Sequence, residues 1–145
     1  LRVQSLESAA GVSGAVRPTT AAIKSGAMDA QLQDAVKKIQ SNDLSSAITE
    51  LKQVMASSDK ASATSARYFL SVAYVANNQY KEAITEANKF VAANPANKNA
   101  PDALRVIYIS QTQLGNANAA KTTAKRLIKS YPNSEAAKKV AKQMQ

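Results

Sequence analysis

Few side chains in this 145-residue chain could do bond-making chemistry. It has no cysteine and no histidine. That removes thiol nucleophiles, disulfides, imidazole bases and histidine-based metal sites together. Three aspartates, Asp29, Asp34 and Asp43, cluster in sequence. Paired carboxylates can exchange protons, but nothing here joins these three to a base, a nucleophile or a phosphate-cradling loop. The expectation is no catalytic residue, no cofactor and no metal. What remains is binding chemistry, and its plainest sign is charge: 19 basic against 10 acidic residues, a formal net charge of +9.

That charge is unevenly spread. Residues 28–59 carry three basic and five acidic groups, net −2. Residues 116–145 carry Lys121, Lys125, Arg126, Lys129, Lys138, Lys139 and Lys142 against Glu135 alone, net +6. Such a pole steers anionic partners toward one end of a molecule. It admits three readings: a solvated lysine face, a docking patch for an acidic protein or anionic envelope polymer, and a nucleic-acid surface. No interleaved aromatics offer base stacking, so nucleic acid is not an expected partner.

The elements that position these residues are read from a 34-residue unit at 64–97. It places Leu70 and Tyr74 on one face of a first helix, Tyr80 and Ala83 early in a second, and Pro95 at the end. Residues one helical turn apart share a face. Ala83 is small where two helices cross, and Pro95 stops the second helix. The unit recurs. Asn42–Glu50 matches Asn78–Glu86 at five of nine positions, and Gly115–Ala120 fits the same frame. The anchor alanines Ala47, Ala83 and Ala120 lie 36 and 37 residues apart, and Pro95 and Pro132 are 37 apart. This phasing predicts helix hairpins at about 28–41 with 44–57, 63–77 with 80–93, and 100–114 with 117–130. Asn116 is a candidate helix cap, and Ser134 caps a last helix with lysines toward its end. The stretch SSDKASA (57–63) reads as a loop.

The fold class expected is all-α: a right-handed α-solenoid of about three hairpins plus a C-terminal capping helix, spanning residues 28–145. Alanine-rich apolar content and seven aromatics suit close helix pairs better than a sheet. Residues 1–27 hold three of the four glycines with Pro18, and read as a flexible linker. Val3 and Leu6 leave open a frayed end or the tail of a coiled coil that continues upstream. Leu1 in place of methionine is expected of a processed protein or an excised fragment. No apolar run reaches the ~20 residues that span a bilayer.

The spacing of Leu70, Tyr74, Tyr80, Ala83 and Pro95 resembles the tetratricopeptide repeat. A narrower resemblance rests on Phe90-Val91-x-x-Asn94-Pro95, on Leu127-Ile128-x-x-Tyr131-Pro132-Asn133-Ser134-x-x-Ala137, on Ala100–Leu104 and on Gln113–Asn116. These are similar to the C-terminal domain of the Tol-Pal system YbgF (CpoB) family and, less closely, to the BamD type of outer-membrane assembly lipoprotein. The resemblance implies a non-enzymatic protein-binding adaptor of the periplasm, serving cell division in the first case. It also implies a repeat domain monomeric by itself and oligomeric through an upstream coiled coil. The first repeat departs from the pattern, with Asp59 where the proline belongs. The resemblance implies further that first helices line an inner groove, here Leu32 and Val36, Tyr68 and Val72, Arg105 and Ile109. That groove would take an extended or helical peptide. The competing reading is that the aliphatics pack between helices. Leu32, Val36, Phe69, Asp102 and Val106 occupy the places of a chaperone-type carboxylate clamp, so that activity is not expected.

Overall fold

The computed structural model describes residues 27–144. Among them are seven α-helices and no strand: α1 Ala27–Gln40, α2 Leu44–Met55, α3 Lys60–Ala76, α4 Tyr80–Ala93, α5 Ala100–Gln113, α6 Ala117–Ser130 and α7 Glu135–Gln143. The linker expected at residues 1–27 lies outside the described residues except for Ala27, which opens α1. Each helix packs on the next, forming three antiparallel hairpins and a final helix. This is the expected all-α solenoid.

The repeat is visible at the level of backbone torsions. Each hairpin turns through one residue in the left-handed region: Asn42 (φ 66°), Asn78 (φ 61°) and Gly115 (φ 81°). The following amide then reaches back across the turn, Asp43 to Lys38 O at 2.8 Å, Gln79 to Tyr74 O at 2.8 Å and Asn116 to Gln111 O at 2.9 Å. This satisfies carbonyls that the helix end leaves unpaired. Asparagine and glycine tolerate that conformation where other side chains collide with their own backbone. A β-carbon at Gly115 would meet nothing within 4 Å, so φ alone selects the residue there.

The second and third connections share one conformation as well: Asn94 (φ −137°, ψ 56°) and Tyr131 (φ −134°, ψ 58°). The Tyr131 hydroxyl donates to Pro95 O at 2.6 Å, tying the third connection to the second. The first connection differs. Helix α3 begins at Lys60, three residues before the expected Ala63, because Asp59 caps it. The Asp59 carboxylate accepts from the Ser62 amide at 3.4 Å and the Ser62 hydroxyl at 2.9 Å. Asn116 stands at the head of α6 but makes no side-chain cap, whereas Ser134 accepts from the Ala137 amide at 3.0 Å.

The core runs unbroken through the hairpins. Phe69, Phe90, Leu51, Leu70, Leu104, Leu127 and Val140 are sealed from water, and Ala47, Ala83 and Ala120 sit buried at the helix crossings. Each large side chain contributes roughly 1.5–3 kcal/mol by leaving water. Tyr68 stacks edge-on against Phe69 (centroids 4.9 Å apart) and at a tilt against Phe90 (5.7 Å), joining α3 to α4. The first helices of successive hairpins also touch: α1 meets α3, α3 meets α5, and α5 meets α7. The second helices α2, α4 and α6 make no comparable contact with one another. The α1, α3, α5, α7 layer is therefore the tighter, concave side of the array.

Candidate groove on the concave layer

The residues expected to line the groove all lie on α1, α3 and α5, but at different depths. Leu32 and Val36 of α1 are 3% and 1% exposed, packed within the core, and present no surface. Val72, Arg105 and Ile109 are half-buried. Tyr68, 9% exposed, lies between its aromatic neighbours and two charges of α5. Burial pushes its phenol well above the ordinary tyrosine range, the Asp102 carboxylate adds to this, and the Arg105 guanidinium opposes it.

Asp102 and Arg105 are one turn apart on α5 and share a face. Neither completes the other. Among the described residues no ion pair within 4 Å joins them, and the Arg105 Nε is buried without a hydrogen-bond partner. Burial raises the Asp102 carboxyl above the usual carboxylate range, while Arg105 and Lys139 pull it back down. A half-buried acceptor and a sealed donor thus stand together beside a tyrosine, flanked by the aliphatic side chains Val72 and Ile109. A peptide segment carrying both donors and acceptors could satisfy them.

Lys139 moves from one expected group to another. The sequence assigns it to the basic pole, but its field reaches Asp102, which places it toward the concave side. The whole pole is exposed, Lys139 included: Lys121, Lys125, Arg126 and Lys129 on α6, Lys138, Lys139 and Lys142 on α7. Only Lys138 of these has an acid within 4 Å among the described residues, Glu135 at 3.9 Å. The pole is thus two surfaces on two helices. Asp102 carries more of the site than sequence gave it credit for. Its signal was its i, i+3 spacing to Arg105.

The three aspartates do not form a centre. Lys38 of α1 bridges Asp34 at 3.1 Å and Glu50 of α2 at 3.2 Å. Contact with Glu50 and then Lys38 holds Asp34 below the usual range, while burial raises Glu50. A shallow cleft of about 330 Å³ opens beside this bridge, lined by Lys38, Ser45, Ser46, Thr49 and Glu50. Lys38 takes up one oxygen of each acid, and Glu50 Oε1 is buried without a hydrogen-bond partner, but this cleft is shallow and has no aromatic or large aliphatic wall, so the groove is the stronger candidate. Among the described residues no three His, Cys, Asp or Glu side chains cluster as metal ligands would. None of the described helices is long and apolar enough to cross a membrane.

Residues 26–145 match the family model YfiO, described as outer membrane lipoprotein. A search of curated proteins finds no match.

Proposed function

The chain belongs to the YfiO family of outer membrane lipoproteins, and on that premise we propose that it is a non-enzymatic scaffold that binds partner proteins during outer-membrane assembly. This takes up the second of the two resemblances read from sequence. The Tol-Pal and cell-division reading, with its upstream coiled coil, has no comparable support from the family match. The working compartment proposed is the periplasmic side of the envelope, with residues 1–26 as a linker to the repeat domain.

The observation that carries the reading is the unpartnered Arg105 Nε beside the half-buried Asp102. Buried polar groups are nearly always satisfied, and each exception calls for a reason. A partner segment laid along Tyr68, Val72, Arg105 and Ile109 supplies one. Site-specific photo-crosslinking tests it in the native envelope. A crosslinker at Val72 or Ile109 is expected to capture a discrete protein, and Arg105→Ala to abolish that capture while the melting temperature moves little. Crosslinkers at the exposed convex positions Thr85 and Thr122 serve as controls. Equal capture from both faces, or capture indifferent to Arg105→Ala and Tyr68→Ala alike, refutes the groove.

A further inference from the structure

Helix α6 differs from its counterparts in one property. Its charged side chains, Lys121, Lys125, Arg126 and Lys129, are all cations and all exposed. The helices in the same place of the first two hairpins are mixed: α2 carries Glu50 and Lys52, and α4 carries Lys81, Glu82, Glu86 and Lys89. Aligned on the anchor alanines, Thr123 stands where the earlier hairpins have Glu50 and Glu86. Ala119 stands at the place of Glu82, and Lys121 at that of Ile48 and Ile84. Acids have gone and a lysine has come at positions whose backbone is the same.

The fold does not require this change. In the first hairpin Lys38 binds Glu50 at 3.2 Å, and the same pair of places in the third holds Gln111 and Thr123, hydrogen-bonded at 2.6 Å. A neutral pair serves there as well. Nor does the change favour the helix, since Lys121, Lys125 and Lys129 follow one another at four-residue spacing and repel. No acid lies within 4 Å of any of the four cations among the described residues. At 1.5 Å per residue, Lys121 and Lys129 stand about 12 Å apart along one side of the helix. Asn118 and Thr122 fill the same exposed side. No aromatic or large aliphatic side chain is exposed on it.

We propose that this side of α6 docks on an anionic phospholipid surface. The proposal rests on the outer-membrane reading above, which puts the chain beside a bilayer. A protein partner would bring a poor interface, because specific interfaces have a largely apolar centre and this face has none. A nucleic acid would find no ring to stack on. A headgroup layer needs neither, since it is read through charge density over a flat area. Each lysine or arginine near such a surface is worth about fivefold in partitioning. The convex face would then lie on the membrane and leave the concave groove open to partners.

The test is co-sedimentation of the full chain with vesicles of phosphatidylcholine alone, or with about 30 mol% phosphatidylglycerol, at about 50 and 200 mM salt. Binding is expected only to the anionic vesicles and weaker at the higher salt. Lys121→Gln, Lys125→Gln and Lys129→Gln together should lower partitioning roughly a hundredfold with an unchanged circular dichroism spectrum. The triple Lys→Arg variant should keep it. Lys81→Gln with Lys89→Gln on α4 should change it little. If the Gln variant folds poorly, the three single Gln variants carry the test, each expected to lose about fivefold. The proposal is overturned if wild type ignores anionic vesicles, if it binds neutral ones as well, or if the triple Gln variant binds like wild type. An acidic protein or polymer as the true occupant would appear as the first of these. Vesicle binding without concave-face crosslinking would sink the partner reading alone.

Discussion

Arg105 and Asp102 can be judged by a double-mutant cycle, because a pair kept for binding and a pair kept for folding give opposite results. The free protein holds a guanidinium whose Nε is buried and unpartnered, beside a half-buried carboxylate that it does not reach. A sealed, unsatisfied donor costs ~1–3 kcal/mol. Arg105 is only half-buried, so the low end applies, about 1 kcal/mol. Methionine keeps the apolar stem that arginine packs along its neighbours and removes the donor. Arg105→Met alone also strips Asp102 of a favourable charge, worth at most about 1 kcal/mol for a pair this solvated. The two effects nearly cancel, and the single variant should melt within about 2 °C of wild type. Adding Asp102→Asn removes the stranded carboxylate, so the double variant should be more stable by about 1 kcal/mol, a rise of roughly 3–5 °C. Thermal and urea denaturation followed by circular dichroism at pH 7 measure both. The same double variant should lose the crosslink from Val72 and Ile109. A double variant less stable than wild type by 1 kcal/mol or more would show that the pair serves the fold. The argument for a binding site would then collapse.

Three further outcomes follow from the same structure. Gly115→Ala should cost about 1 kcal/mol of stability, since alanine resists the positive φ, while Gly115→Asn should be close to neutral, as Asn42 and Asn78 already are at equivalent turns. Denaturant melts of the two variants, read side by side, check it. Tyr131→Phe deletes one exposed hydrogen bond to Pro95 O and should cost about 0.5–1 kcal/mol. Hydrogen exchange should quicken mainly around α7 and the connection before α5. Asp102 binds its proton more tightly in the folded chain than in the unfolded one, because burial raises its carboxyl. Its ionised form therefore works against folding at neutral pH, and that penalty lifts as pH falls through the raised value toward the ordinary carboxylate range. Asp102→Asn should flatten this part of a stability–pH curve, and an unchanged curve would refute the assignment.

The parts of this molecule legible from sequence are those that a repeat imposes on every copy. Ala47, Ala83 and Ala120 could be found because two crossing helices exclude any larger side chain at that place. The left-handed turns could be found because only glycine and asparagine sit there easily. Depth was harder. Leu32 and Val36 carry the same label as Val72 and Ile109 in a 34-residue frame, yet the first two are buried and the last two only half-buried. Burial depends on what lies across a helix, and spacing along one helix does not say. Asp59 was missed as a cap because a missing proline was read as a missing signal, when a shorter connection had its own. Lys139 was grouped with its neighbours by charge, whereas the packing of α7 on α5 brings it within electrostatic reach of Asp102. The same logic explains why equivalent positions are the informative ones. Where Lys38 and Glu50 become Gln111 and Thr123, the backbone has not changed and the contact survives, so nothing in folding asked for the new residues. The lysines of α6 and the unsatisfied arginine of α5 are departures of this kind, on opposite faces of the same last hairpin. A partner in the groove and a charged surface beneath the convex side would account for both without either site competing for the other's residues.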